Sequence, residues 1–117
     1  MKKRYRIKKV NEIDAVFAAR KSEGDPYFVV YHQPNEQAQN FRFAISIGRK
    51  YGSSVERNLC KRRIRMIIHQ YKAMIDNSKQ FVVVVKPKAK SLSFQEMNDK
   101  IVHLLRKSKT IESKEEK

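Results

Sequence analysis

The chain has 117 residues, 40% of them hydrophobic, with 27 Lys and Arg against 12 Asp and Glu and a formal net charge of +15. That length fits one domain with one modest core, and a single cysteine excludes an internal disulfide or a Cys-rich metal site. A charge excess of this size repels itself and is tolerated best beside a polyanion, which puts nucleic acid ahead of an anionic membrane surface or an acidic protein.

Residues 1–9 read as a basic arm carrying Lys2, Lys3, Arg4, Arg6, Lys8 and Lys9. No apolar stretch follows the opening Met1-Lys2-Lys3-Arg4-Tyr5-Arg6, so it is not a secretory signal and a cytoplasmic protein is expected. Asn11 can cap a helix with Asp14 in its first turn, and Ile13, Val16 and Phe17 then share one face. Gly24 and Pro26 end this helix near Arg20, with room for a short strand at 20–24. Tyr27 to His32 is rich in β-branched and aromatic residues and reads as a strand. Pro34-Asn35 opens a polar loop through Asn40. Phe41 to Gly48 alternates: Phe41, Phe43, Ile45 and Ile47 point one way, Arg42, Ala44, Ser46 and Gly48 the other.

Gly52-Ser53-Ser54 breaks that strand and starts a helix, with Ser53 and Glu56 at capping-box spacing, running to about Ile75. Phe81 to Val85 is a continuous apolar run, too short to span a bilayer and suited to a strand buried on both faces, and Pro87 ends it. Ser93 and Glu96 repeat the capping box before a last helix whose apolar stripe is Phe94, Met97, Ile101, Leu104 and Leu105. The expected fold is α/β (α+β), a two-layer sandwich of about four strands in a mixed sheet packed with three helices, in the order α-β-β-β-α-β-α. A parallel crossover joins Phe41–Gly48 to Phe81–Val85. Residues 1–109 read as a single domain expected to bind nucleic acid, and 110–117 read as a charged, disordered tail.

The segment Arg57-Asn58-Leu59-Cys60-Lys61-Arg62-Arg63-Ile64-Arg65 carries the clearest chemistry. At about 100° per residue, Arg57, Lys61 and Arg65 fall on one stripe with Asn58 and Arg62 beside it. Cys60, Ile64, Ile67, Ile68 and Tyr71 fall on an adjacent face that packs on the sheet. Like charges four apart on a helix repel by about 0.2–0.5 kcal/mol per pair, and only Glu56 is near to compensate. A solvated basic face would intersperse Glu, so phosphate is the better explanation. The planar fork of arginine bonds phosphate in two places, and the helix N-terminus adds N–H donors. No carboxylate cluster suits a pair of Mg²⁺ ions, no nucleophile has an adjacent base, and His32, His69 and His103 show no ligand spacing, so neither a catalytic residue nor a metal ligand is assigned.

In Arg57-Asn58, Lys61-Arg62 and Arg65, an R-N-x-x-K-R-x-x-R pattern, the chain resembles the bacterial ribonuclease P protein subunit. The strand Phe41–Gly48 with its continuation Arg49-Lys50-Tyr51-Gly52, the strand Tyr27–Tyr31 and the segment Tyr5–Lys9 are similar too, so the likeness spans roughly residues 4–107. Leu59 stands where many members carry a third basic residue, Ser54 where alanine is usual, and Ile13 where an aromatic is common.

The resemblance implies a left-handed β-α-β crossover containing the motif helix. It implies a role in transfer RNA maturation, as accessory component of an endoribonuclease that hydrolyses the 5′ leader from precursor tRNA. There the RNA subunit with its Mg²⁺ is the catalyst, and no membrane or obligate protein partner is expected. Arg57, Asn58, Lys61, Arg62 and Arg65, with Arg49 and Lys50, would face the catalytic RNA. Phe17, Ile13, Tyr31, Arg42 and Lys9 would line a cleft for the leader, where Tyr27, Val29 and Tyr31 share one strand face beside Arg42, Ala44 and Ser46. Such a surface suits single-stranded RNA through stacking and charge. Against this, Ile13 and Phe17 could simply pack in the core. A ribosomal-type RNA-binding protein, a DNA-binding helix with Asn58 in the major groove, and a self-sufficient nuclease are the alternative readings.

Overall fold

The computed structural model describes residues 3–35 and 39–111. Helix α1 spans Val10–Ala18, strand β1 Ser22–Gly24, β2 Phe28–Pro34, β3 Arg42–Ile47, α2 Ser54–Gln70, β4 Lys79–Val85 and α3 Phe94–Lys107. The order is the expected α-β-β-β-α-β-α, including the short first strand near residues 20–24.

The sheet order is β1-β2-β4-β3. β2 runs antiparallel to β1 and to β4, and β3 runs parallel to β4 with Phe43 opposite Phe81 and Ile45 opposite Val83. α2 is therefore the connection between two adjacent parallel strands. Central β4 is the apolar run of the sequence, and its Phe81, Val82 and Val83 are fully buried because both faces of the sheet are covered there. One face, with Phe28, Val30, Phe43, Phe81, Val83 and Val85, packs on Cys60, Ile64, Ile67 and Ile68 of α2 and Met97, Ile101, Leu104 and Leu105 of α3. Phe41, Phe43 and Phe81 group there with ring centroids 5.8–6.3 Å apart. On the other face, Val82 packs with Val16 of α1 and with Ile7. α1 covers only part of that face, leaving Val29 and Val84 half-buried and Ser46 exposed.

Several boundaries move from where the sequence puts them. α1 begins at Val10 with Lys9 in the cap position and no side-chain cap, so Asn11 lies inside the first turn and the early acid is Glu12. The Lys9 carbonyl accepts the first helical bonds, from Glu12 and Ile13. α2 stops at Gln70, followed by a 3₁₀ turn at Lys72–Met74, because Ile75 is extended and buried in a bridge with Ile111. That bridge also corrects the tail: Thr110 and Ile111 are fully buried, so the folded unit reaches residue 111. The rest of the tail, 112–117, lies outside the described residues, as does part of the 34–40 loop.

The basic arm is not a free arm. Tyr5 and Ile7 are buried, one in each core, and Ile7 N–H donates to the Phe43 carbonyl at 2.9 Å. Arg6 bridges Phe43 in parallel, which lays the segment along the outer side of β3. Tyr5 closes a 3₁₀ turn and Ile7 follows the bridge, so the two enter different cores, while Arg6 is half-buried between them and Lys8 is exposed.

Candidate nucleic-acid interface

The capping box at the start of α2 is complete. Ser53 Oγ accepts from Glu56 N–H at 3.2 Å, and Glu56 Oε1 accepts from Ser53 N–H at 2.8 Å. The second Glu56 oxygen pairs with Lys90 at 3.0 Å. Those backbone and lysine contacts hold the Glu56 carboxyl below the usual carboxylate range. The single acid of α2 is thus already engaged and leaves the helix's five cations uncompensated.

Among the described residues the ion pairs are Arg42–Glu12, Lys90–Glu56 and Lys107–Glu23, none of which involves Arg57, Lys61, Arg62, Arg63 or Arg65. Arg57 donates to the Gly52 carbonyl at 3.3 Å, Asn58 and Arg62 are exposed, and Lys61 and Arg65 are half-buried. Arg49 and Lys50 are exposed on the 3₁₀ turn leading into the helix. Tyr51, in the same turn, is buried, and burial beside the Cys60 thiol pushes its hydroxyl up to about 12. The seven residues expected to face RNA, six of them cations, thus all stand on α2 or on the turn that leads into it. Sequence reasoning missed Arg6, which lines one groove with Arg62, Arg65, Met66 and His69. The signal was available in the apolar Tyr5 and Ile7 that flank it in the sequence.

The second predicted group is only partly assembled as expected. Phe17 and Tyr31 meet edge to face, ring centroids 4.8 Å apart at 89°. Ile13, Phe17, Tyr31, Ala44 and Val84 pack, each half-buried, around Val16 and Val82. Phe17 and Ile13 thus support the small core while part of each side chain stays exposed. Lys9 is exposed at the entry to α1. Arg42 is not free, because its guanidinium donates to Glu12 Oε1 at 2.8 Å and ties α1 to β3. Arg42 in turn holds the Glu12 carboxyl below its usual range.

Tyr27 does not share the face of Val29 and Tyr31. Asp25 Oδ1 accepts from both Tyr27 and Phe28 N–H at 2.7 Å, closing a turn that delays the strand to Phe28. Tyr27 then packs towards α3, with Lys100 Nζ 4.7 Å and Lys88 Nζ 5.5 Å from its ring centroid. Among the described residues no three His, Cys, Asp or Glu side chains gather to hold a metal, and no helix is long and apolar enough to cross a membrane.

Comparison with known proteins adds an independent line. Residues 1–109 match the family model described as Ribonuclease P. The chain is 46% identical over 112 residues to the ribonuclease P protein component of Acholeplasma laidlawii, covering 96% of each chain. It is 37% identical to that of a Bacillus cereus strain, over 92% of this chain and 94% of the relative. Among solved structures, the RNase P protein of Staphylococcus aureus superposes with a TM-score of 0.86 at 31% identity, over 92% of this chain and 97% of that one. That of Thermotoga maritima gives 0.79 at 27% identity, over 87% and 96%.

Proposed function

The chain belongs to the bacterial ribonuclease P protein family, and on that premise we propose that it binds the catalytic RNA of ribonuclease P and the 5′ leader of precursor tRNA, assisting Mg-dependent endonucleolytic removal of the leader. The RNA is the catalyst in this reading, and the protein supplies binding and positioning in the cytoplasm.

The observation that carries the proposal is the cationic face of α2, whose single acid is held by its own cap and by Lys90. Phosphates of the catalytic RNA neutralise Arg57, Lys61, Arg62 and Arg65, with Asn58, Arg49 and Lys50 at the flank. Each neutralised phosphate releases counterions and makes the binding salt-dependent. Tyr31, Phe17 and Ile13 offer apolar and aromatic surface to leader bases and Lys9 supplies charge, while Arg42, paired with Glu12, braces α1 against β3 beside them. Mature tRNA lacks the leader and forfeits those contacts, so the protein favours precursor.

The test is cleavage of precursor tRNA by a bacterial ribonuclease P RNA at low Mg²⁺, with and without the protein, using leaders of several lengths. Stimulation that grows over the first leader nucleotides and then levels off is the expected result. Tight RNA binding with no stimulation would leave a general RNA-binding protein instead.

A further inference from the structure

The groove beside α2 has properties that phosphate neutralisation alone does not use. Arg6, Arg62, Arg65, Met66 and His69 line it, and its volume is about 550 Å³. Three arginines share it with no carboxylate closing on them among the described residues. Arg6 Nε is buried and has no hydrogen-bond partner there. Burial and the neighbouring charge of Arg6 hold Arg65 below the usual arginine range. Two half-buried guanidinium groups set side by side repel, and the backbone bridge from Arg6 to Phe43 fixes one of them in place.

The same groove has an apolar wall. Met66 sits on a polar helix face yet leaves 51% of its surface exposed. A lone phosphate has no use for that surface, whereas a nucleotide with its base turned out of the stack uses both parts. A thioether on a flexible, polarizable chain packs well on an aromatic ring.

We propose that Arg6, Arg62, Arg65, His69 and Met66 form a nucleotide subsite that holds one RNA phosphate between the N-terminal segment and α2 and seats its unstacked base on Met66. The inference rests on the reading of α2 as an RNA-binding face and adds the base to it. It makes Arg6 part of the binding surface, held by β3 before RNA arrives.

The test measures affinity for a bacterial ribonuclease P RNA against salt, by filter binding, for four variants of the full chain. Met66→Ser should weaken binding roughly three- to tenfold with the salt slope unchanged, the size expected for one apolar contact. Met66→Leu should restore most of that loss. Arg6→Gln should weaken binding and lower the slope by about one. Replacing Arg57, Lys61, Arg62 and Arg65 together with Ala tests the underlying reading. If that fourfold variant loses affinity while Met66→Ser and Arg6→Gln bind as wild type, the subsite is wrong and the α2 face stands. If the fourfold variant keeps both affinity and slope, α2 is not the interface and the subsite falls with it. Circular dichroism melts check folding, and Met66→Leu against Met66→Ser keeps the comparison decisive should Arg6→Gln unfold.

Discussion

Tyr31 and Tyr51 show how differently two aromatic hydroxyls can be used in a small protein. Tyr31 is half-buried against Phe17, which fixes its ring while leaving a face for a ligand. Tyr31→Ala should cost about 1–3 kcal/mol of precursor tRNA binding and leave mature tRNA binding unchanged. Tyr31→Phe keeps the ring and should lose little, and equal losses for both RNAs would remove Tyr31 from the leader surface. Tyr51 is buried, and its hydroxyl is pushed from the usual 10.0 to about 12. Below pH 10 both folded and unfolded chains keep that proton, and the residue's contribution to stability is complete. As pH climbs to 12 the unfolded chain releases it first, so stability falls. Tyr51→Phe removes this ionisation, and its melting temperature should drop less than that of wild type between pH 10 and 12.

At the scale of elements, α2 has the strongest local signals and is the part most legible in the sequence. Its capping box, its Cys60-Ile64-Ile67-Ile68 face and its cationic stripe all stand where spacing puts them. Ser53→Ala should lower stability by about 1 kcal/mol, which for a chain of this length is about 4 °C in thermal melting. A wild-type melting point would mean that tertiary packing, not the cap, fixes the helix start. What the sequence hid depends on long-range partners. Nothing local marks Ile75 as a residue that leaves the helix to pair with Ile111, thirty-six positions later. Asp25 turns Tyr27 away from its neighbours through two hydrogen bonds that strand periodicity cannot register. Arg42 reads as a free cation until α1 brings Glu12 to it. The boundaries of α1 and α2 shifted for the same reason, since tertiary contacts override weak end signals.

On the scale of the whole molecule, a charge of +15 on 117 residues opposes compaction. Five cations stand on α2, Lys88 and Lys90 lie on the 3₁₀ turn at Pro87–Ser91, and Lys100 lies on α3. Anions that screen this repulsion and favour the compact state should therefore raise the melting temperature. Sodium sulfate should raise it more than sodium chloride at equal ionic strength, because sulfate is also excluded from the apolar surface. Equal shifts for the two salts would reduce the effect to screening alone.

An open sheet has two margins at which a foreign strand could attach. β1 limits one of them by being three residues long. The other belongs to β3, and its backbone is occupied at Phe43 by Arg6 and Ile7. Residues 5–7 are therefore a guard as well as a scaffold: cut away, they would uncover a six-residue strand carrying Phe43, Ile45 and Ile47, a template on which copies of the chain could stack.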